Sequence, residues 1–484
     1  MGIFYPPKGE KKGAVFSLFS KISLRSRILS TTGTPAAQIL RFPQDMKGFA
    51  RKTFRGSAVL LAVLLLFVSA PRPSAAQETL REGELVDLER CLKIALSRHP
   101  SLQAAAQAVK AGESRVGQAK AAYFPQVTWS TSASRTDPYT TPVGAEAAKG
   151  GEITNQYLSS LNLSQTLYDF QKTARQVRIQ DLGVLSARGD LDMTRLSVTL
   201  GVRKAYYDLL KARRQREVAA ETVEQFQRHL EQAQAFFRAG TKPKIDVTKG
   251  EVDLGNARLN LVKAQNALSL AVAALNNAMG YPGAPPFVVA DDPSEPGPLT
   301  AFEEALEKAY KNRPDLKAAV AKRQSAEESV RLAKTGYFPS LTGSAGVGYG
   351  GQQFPVDRGW TVGATLSVPI FSGLSTRYQV EEALANLQAA RANEENLRQA
   401  IHLEVRQAWL NWTEAKERLS TAMLTVRQAE ENRDLATGRY EAGVGSAIEV
   451  TDAIVAFNNA KMDYLGALYD LKTAQATMEK AMGL

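Results

Sequence analysis

The sequence predicts an α+β membrane protein. Its long antiparallel helices would form an α-helical coiled-coil barrel, and four β-strands per protomer would contribute to a shared twelve-stranded trimeric β-barrel. Three observations lead to this fold class. The 64 residues from Leu374 to Thr437 contain no Gly and no Pro. Four other segments alternate apolar and polar residues, as β-strands do. An internal two-fold sequence repeat divides most of the chain into two similar halves.

The basic charge of the chain is concentrated at its N-terminus. Residues 1–76 contain 12 Lys and Arg against 2 Asp and Glu, so they carry +10 of the formal net charge of +11. The remainder is nearly neutral and offers no electrostatic footprint for nucleic acid. The apolar run 58–70 follows basic residues and precedes the small residues Ser74–Ala76, which predicts a signal peptide within residues 1–76. A retained anchor is the alternative, and Met46 is a candidate for the true start.

The repeat is visible as short motifs that occur in the same order in both halves. Tyr123-Phe124-Pro125 matches Tyr337-Phe338-Pro339, Ala239-Gly240 matches Ala442-Gly443, and Ala278-Met279-Gly280 matches Ala481-Met482-Gly483. These matches assign residues 77–280 to a first repeat and residues 299–484 to a second. Residues 281–298 form a linker rich in Pro and Gly between them.

Both halves are predicted to contain the same elements. A short helix (near 86–98 and 299–312) leads into a medium helix (near 101–121 and 315–335). Two strands precede a very long helix (near 171–237 and 374–440), and a Gly-containing turn leads to a return helix (near 245–279 and 448–482). The second long helix carries a heptad seam in which large residues alternate with Ala, so a neighbouring helix can approach closely. The seam consists of Ile401, Val405, Ala408, Trp412, Ala415, Leu419, Ala422, Val426 and Ala429.

Four segments alternate with period two, which predicts strands with one apolar and one small polar face. The apolar positions are Val127, Trp129, Thr131 and Ala133; Leu161, Leu163 and Leu167; Leu341, Ala345, Val347 and Tyr349; and Trp360, Val362, Ala364, Leu366, Val368 and Ile370. Each segment is about ten residues long, the length of a tilted membrane strand, and aromatic residues collect near the segment ends. An ordinary antiparallel sheet on a soluble core is the alternative.

Membrane strands require a closed barrel, because an open sheet edge in lipid leaves backbone groups unpaired at a cost of several kcal/mol each. Four strands are too few to close one. Three copies of the chain would supply twelve strands, which can enclose a water-filled lumen. The sequence therefore predicts a homotrimer.

No group of residues in the sequence predicts catalysis. The single Cys91 excludes internal disulfides and metal clusters, and it is expected to be a small buried residue in a helix. His99, His229 and His402 lie far apart along predicted helices and are expected to be surface or packing residues. We therefore predict no enzyme activity, no cofactor and no metal site.

The repeated helix–hairpin–long-helix unit, with Tyr-Phe-Pro before the first strand of each half, resembles the TolC family of outer-membrane efflux proteins. The resemblance covers nearly the whole chain after residue 76. Its most specific motifs are Ala239-Gly240-Thr241 with Ile245-Asp246-Val247, and Tyr440-Glu441-Ala442-Gly443 with Ile448-Glu449-Val450 and Asp452.

This resemblance implies a passive exit duct in the outer membrane with a periplasmic helical extension. Such a duct belongs to a tripartite efflux or type I secretion system. The implied partners are two further copies of the chain, outer-membrane lipid, a periplasmic adaptor (membrane fusion) protein, and an inner-membrane efflux pump or ABC transporter. Drug, metal and protein export systems share this duct, so the resemblance leaves the cargo open.

The resemblance also implies a function for the two Gly-containing turns, which form the periplasmic tip in that family. The expected adaptor-docking residues are Arg238, Ala239, Gly240 and Thr241 in one turn and Glu441, Ala442, Gly443 and Val444 in the other. The expected constriction residues are Asp246, Tyr440, Glu449 and Asp452. Threefold symmetry would bring copies of the carboxylates around one axis, where they would bind cations, and Tyr440 would hydrogen-bond across the throat. Helix capping is the alternative role for these acids, above all for Asp246.

The second turn departs from the family pattern. A basic residue after the second Gly helps to tie the tip shut in that family, whereas this chain has Val444-Gly445-Ser446. Glu449 stands where Asp is more familiar. We therefore expect the tip to be held differently.

Two other function classes fit part of the sequence. A trimeric, membrane-anchored structural or adhesive coiled coil would also carry heptads and strands. It would not require two hairpins that interrupt a duplicated helical unit. A soluble helical scaffold would leave the alternating strands and their aromatic ends unexplained.

Overall fold

The computed structural model describes residues 80–136, 154–292, 297–298 and 300–484. Residue contacts divide the chain into two units, Met1–Ala76 and Gln77–Leu484. Every described residue belongs to the second unit. The predicted signal peptide and the candidate start at Met46 therefore lie outside the described residues.

The helices of the two halves correspond one to one. The first half contains α1 (Leu88–Arg98), α2 (Pro100–Lys120), α3 (Lys172–Arg238) and α4 (Lys244–Ala278). The second half contains α5 (Phe302–Asn312), α6 (Pro314–Lys334), α7 (Ser375–Glu441) and α8 (Ala447–Ala481). Corresponding helices have equal lengths of 11, 21, 67 and 35 residues. The predicted helices are confirmed, with bounds that differ by three residues or fewer.

Local sequence signals explain where several helices begin. The side chain of Asp87 accepts a hydrogen bond from the backbone N–H of Arg90 and caps α1. Pro100 and Pro314 occupy the first positions of α2 and α6, where proline loses no helical hydrogen bond. Both long helices begin directly after a residue with positive φ, Gln171 or Leu374.

The strands are β1 (Leu85–Val86), β2 (Gln126–Thr136), β3 (Thr154–Tyr168), β4 (Val288–Val289), β5 (Ser340–Gly351) and β6 (Asp357–Ser367). Four of them form an antiparallel sheet in the order β2-β3-β5-β6, so the pairing of β3 with β5 joins the two halves. β1 and β4 form a separate parallel pair. Two predictions need correction. The fourth long strand ends at Ser367, before Val368 and Ile370, and β3 is longer than the predicted ten residues.

The register separates the two kinds of side chain in the sheet. One row across all four strands is apolar: Trp129, Leu161, Val347 and Trp360. The next row is small or polar: Thr128, Asn162, Gly346 and Thr361. The apolar row is largely exposed within the protomer, and the side chains of Trp129 and Trp360 are 76% and 77% exposed. One face of the sheet is therefore an uncovered apolar surface.

The first long helix, α3, connects the two halves. It packs against α2 and α4 of its own half and against α6 and α8 of the other. Gly189 allows the contact with α6, because a Cβ atom at this position would lie 2.6 Å from the carbonyl oxygen of Pro314. The second long helix, α7, makes its main contacts with α5, α6 and α8 of its own half alone.

The core follows the predicted heptad seam. Ile401, Val405, Ala408, Trp412 and Ala415 of α7 are buried in one cluster with residues of α5, α6 and α8, and the later seam positions are half-buried. In the first half, Cys91 is fully buried as predicted, and burial together with the charge of Asp87 raises the pKa of its thiol to about 12.

The linker between the halves packs against them. β4 lies beside β1, and the hydroxyl of Tyr206 donates to the carbonyl of Ala290 at 2.6 Å. Lys472 of α8, which is 7% exposed, donates to the carbonyl of Asp292 and pairs with its carboxylate. The sequence did not predict the short strand β4.

Within the described part of the chain, no helix combines the length and the apolar character needed to cross a lipid bilayer.

Candidate functional site

The two Gly-containing turns have the same backbone structure. Gly240 and Gly443 have φ values of +74° and +77°, which glycine adopts without strain. In each turn the residue after the glycine donates its backbone N–H to a carbonyl of the preceding helix: Thr241 to Phe236 at 3.1 Å, and Val444 to Arg439 at 3.0 Å. The turns therefore end α3 and α7 with the same geometry.

The predicted docking residues lie on the surface of these turns. Arg238, Ala239, Gly240, Thr241, Glu441, Ala442, Gly443 and Val444 are all exposed. No Cβ atom added at Gly240 or Gly443 would meet another atom within 4 Å. The turns thus present small, accessible surfaces at the ends of the long helices.

The turns differ at one pair of positions that the predicted repeat aligns, Lys242 and Gly445. Gly445 is buried, and a Cβ atom there would lie 2.9 Å from the backbone nitrogen of Tyr440. Lys242 reaches from the first turn and donates from Nζ to the carbonyl of Gly445 at 3.2 Å. A basic residue thus links the two turns, but it belongs to the first turn, where sequence reasoning did not look for it.

Tyr440 is fully buried at the end of α7. Its ring packs against His229 and Phe236 of α3, with centroids 5.4 and 5.5 Å apart, and the Nζ atom of Lys242 lies 5.1 Å from its centroid. Burial, with a further effect from the charge of Asp246, raises the pKa of Tyr440. Its hydroxyl has no hydrogen-bond partner among the described residues. The hydrogen bond predicted across the throat of a trimer stays a prediction, because within the protomer the Tyr440 side chain makes the ring contacts given above.

The three predicted acids occupy different environments. Asp246 is half-buried in the first turn of α4 and is close enough to Tyr440 to act on its pKa. Glu449 lies in the first turn of α8, where its N–H donates to the Ser446 hydroxyl at 3.2 Å and its carboxylate approaches Arg439 at 3.6 Å. Asp452 is exposed. The protomer brings Asp246 to Tyr440, whereas Glu449 and Asp452 share one exposed helix face.

His229 is the residue of this region that sequence reasoning did not assign to it. It is 5% exposed and packs within a cluster of apolar side chains from α3, α4, α7 and α8. The cluster contains Phe226, Leu230, Leu254, Ala257, Tyr440, Ala447, Val450 and Ile454. We call this group, with His229, the tip cluster. The sequence signal for this placement is that His229 lies eleven residues before Gly240, about two and a half turns before the end of α3 at Arg238.

The other two histidines are packing or surface residues, as predicted. His99 accepts a hydrogen bond on Nδ1 from the N–H of Ser101, and exposed His402 lies edge-on to Phe302. Across the residues that the structure describes, no group of three or more His, Cys, Asp and Glu side chains could hold a metal ion.

Comparison with known proteins shows which family this chain matches. The profile of the outer membrane efflux protein family matches residues 91–281 and 305–484. CyaE of Bordetella pertussis is 26% identical over 427 residues, which cover 86% of this chain and 87% of CyaE. The outer membrane protein TolC of Escherichia coli is 25% identical over 407 residues, or 80% of each chain. The crystal structure of CusC aligns with a TM-score of 0.73 at 18% identity and covers 86% of this chain and 98% of CusC, so the two share a fold.

Proposed function

Because this chain belongs to the outer membrane efflux protein family, we propose that it is the exit duct of a tripartite efflux or type I secretion system. The chain is an outer-membrane channel protein with a periplasmic helical part, and it is not an enzyme. Its cargo would pass through a lumen shared by three copies of the chain. The uncovered apolar face of a sheet with two open edges is the observation that carries this proposal.

The pairing of strands supports the shared barrel. Within the protomer, β3 of the first half pairs with β5 of the second half. In the repeat, β6 corresponds to β3 and β2 corresponds to β5. The same pairing can therefore join β6 of one protomer to β2 of the next, which would leave no open edge after three copies.

The helices support the same arrangement. Tyr207 of α3 is 7% exposed beneath Lys472 of α8, while its counterpart in the repeat, Leu410 of α7, is 47% exposed. Further exposed apolar residues on α7 are Leu403, Met423, Leu424 and Leu435, and those on α4 are Ile245, Val252, Leu259, Val262 and Leu270. We propose that α7 of one protomer packs against α2 and α4 of the next, as α3 packs against α6 and α8. The apolar surface left by one copy would then be covered by another.

The gate is proposed to lie at the two turns. The link from Lys242 to the carbonyl of Gly445 and the ring of Tyr440 would hold the hairpins of each protomer together. In the trimer, Asp246, Glu449 and Asp452 would surround the threefold axis and bind cations there. The exposed turns Arg238–Thr241 and Glu441–Val444 would receive a periplasmic adaptor protein, which connects the duct to an inner-membrane pump or ABC transporter.

Two measurements on the purified mature protein test the proposal. Its mass in detergent should be that of a trimer, and single molecules in a planar bilayer should conduct ions. A monomer or dimer would contradict the shared barrel. A stable trimer without conductance would favour the structural or adhesive alternative.

A matched pair of variants tests which face of the sheet meets lipid. Val362→Arg places a charge on the apolar face, at a cost of about 2–4 kcal/mol near the bilayer midplane, and should prevent assembly. Thr365→Arg lies on the opposite face of the same strand and should assemble like the parent. Equal damage from both substitutions would reject the proposed orientation.

A further inference from the structure

His229 lies where the two helical hairpins of the protomer meet. Its ring packs against that of Tyr440 at a centroid distance of 5.4 Å and an interplanar angle of 55°. It is therefore part of the contact between α3 and α7, and a change in its charge acts directly on the packing of Tyr440. Phe236 of α3 and Lys242 of the first turn also reach the Tyr440 ring from the first hairpin.

One side of His229 borders a polar cavity of about 550 Å³ between α3 and α7. Charged groups from several elements face the histidine. They are Arg228 of α3; Asp246, Lys249 and Asp253 of α4; and Arg433, Asp434 and Glu441 of α7. The part of α8 that lines the cavity, Val450 and Ile454, is apolar. The surroundings thus hold both signs of charge and do not form a binding site for an imidazolium.

The environment favours the neutral form of His229. Burial lowers the pKa of the imidazole, and the nearby charge of Lys249 adds to this effect, while Asp253 and Asp246 oppose it. The pKa remains below the ordinary value of 6.5. A proton on His229 would place a charge against the Tyr440 ring at a buried position, where its desolvation is unfavourable.

We propose that His229 makes the tip cluster sensitive to acid: protonation of His229 releases Tyr440 from its packing and loosens the contact between the two hairpins of each protomer. A loosened tip exposes the imidazole to water, so His229 binds its proton more readily there than in the packed tip. By linkage, the packed tip is favoured above the ordinary pKa of histidine and becomes less favoured as the pH falls below it. The local loosening is independent of the proposed function, whereas its effect on conductance rests on that function.

The test measures the exposure of a buried position beside Tyr440. Ala436, one turn before Tyr440 on α7, is 8% exposed, and its neighbour Leu435 is 62% exposed. Each is replaced by Cys in the full-length trimer, and the rate of thiol modification is measured at about pH 7.5 and pH 5.5. Leu435→Cys corrects for the effect of pH on thiol chemistry. Native Cys91 gives little background because it is fully buried and its pKa is about 12.

When the pH is lowered, the modification rate of Ala436→Cys should rise about fivefold relative to that of Leu435→Cys. The reason is that each pH unit between the pKa of His229 in the packed tip and its pKa in the loosened tip shifts the equilibrium between these two states by up to tenfold. With His229→Gln, or with His229→Asn if the first variant assembles poorly, the ratio should not change with pH. With Asp246→Asn the rise should persist, because the proton that releases Tyr440 is assigned to His229. A ratio that is independent of pH in the parent, or that rises equally in the His229 variants, would overturn the proposal.

Conductance separates this inference from the proposed function. If both are correct, acid increases the conductance of the parent channel and not that of the His229→Gln channel. If labelling responds to acid in the absence of any conductance at either pH, the sensitivity of the tip stands and the channel function fails. If the channel conducts but neither labelling nor conductance depends on His229, the channel function stands and the inference fails.

Discussion

In both halves of the protomer, the junction between the short and the medium helix packs against the glycine that follows the return helix. His99 faces Gly280 in the first half, and Arg313 faces Gly483 in the second. Both glycines have positive φ, and a Cβ atom at either one would lie 2.9 Å from the backbone of the facing residue. The backbone arrangement is the same, so the two junctions differ only in the side chains that hold them.

The second junction is held by a buried ionic network. Arg313 is 3% exposed, pairs with Asp315 at 2.7 Å and with Glu404 at 2.6 Å, and donates to the carbonyl of Ala481 at 3.2 Å. Lys480 also pairs with Glu404, at 2.6 Å. The close backbone approach thus requires glycine in both halves. The facing residue can differ between the halves as long as the charges of its own side chain are satisfied.

The first junction uses no such network among the described residues. His99 accepts one hydrogen bond from Ser101, and the position equivalent to Glu404 is Gly201, which has no atom within 4 Å of its Cβ position.

The largest difference between the junctions is expected when their facing residues are truncated. Arg313→Met leaves the half-buried carboxylate of Asp315 without its cation and should lower the free energy of unfolding by about 3 kcal/mol. His99→Ala removes one long hydrogen bond and should cost about 0.5–1 kcal/mol. Urea unfolding of both variants, monitored by loss of helical signal, measures the two costs. Similar losses would show that the ionic network is not what distinguishes the second half.

The glycines should behave alike. Gly280→Ala and Gly483→Ala each force a side chain into a left-handed conformation and into contact with the facing backbone, so each should cost about 2 kcal/mol in the same urea experiment. Gly283→Ala is the control for the first half, since its Cβ would meet no atom within 4 Å. A large cost at only one of the two junction glycines would mean that the backbone arrangement is not shared after all.

Much of this architecture was predictable because it depends on local patterns. The period-two alternation around Trp129 and Trp360 predicted the strands and their two faces, and the stretch without Gly or Pro predicted α7. Contacts between distant segments were not predictable. Neither residue type nor spacing indicates that β3 pairs with β5.

The same limit applied to the candidate site. The turn glycines and the acids were found because their positions follow from the helix ends. The burial of Tyr440 and the reach of Lys242 to Gly445 depend on how two hairpins pack, which no single segment encodes. His229 was expected to be a surface or packing residue, and which of the two it is depends on a partner on α7 that lies more than two hundred residues away in the sequence.

The junctions should also respond differently to acid. Burial alone would raise the pKa values of Asp315 and Glu404, but pairing with Arg313, and with Lys480 for Glu404, holds both below their ordinary values of 3.8 and 4.5. A depressed carboxylate pKa contributes stability above the ordinary value, and this contribution is lost as the pH falls through the folded-state pKa. The parent should therefore lose more stability between about pH 5 and pH 3 than Arg313→Met does. If the urea midpoints of the parent and of Arg313→Met change in parallel with pH, the network contributes nothing to acid sensitivity.

The smallest effect is expected at a contact between the medium and the long helix that is apolar in the first half and ionic in the second. In the first half, Val109 and Leu191 belong to one apolar cluster, and the equivalent positions in the second half are Arg323 and Glu394, paired at 2.7 Å. Replacing a partly buried ion pair by well-packed apolar residues is often neutral or stabilising, because the desolvation of the charges is no longer required. Arg323→Val combined with Glu394→Leu should therefore change the free energy of unfolding by no more than about 0.5 kcal/mol.

Each single substitution should lower the free energy of unfolding by about 1 kcal/mol, which is more than the double substitution changes it. Glu394→Leu leaves Arg323 with Glu327 alone, and Arg323→Val leaves Glu394 with Arg398 alone. A double-mutant cycle in urea measures the difference. A double variant that loses as much as the sum of the two singles would mean that the second half requires its charges at this contact. In that case an apolar pair would be compatible with this contact in the first half only.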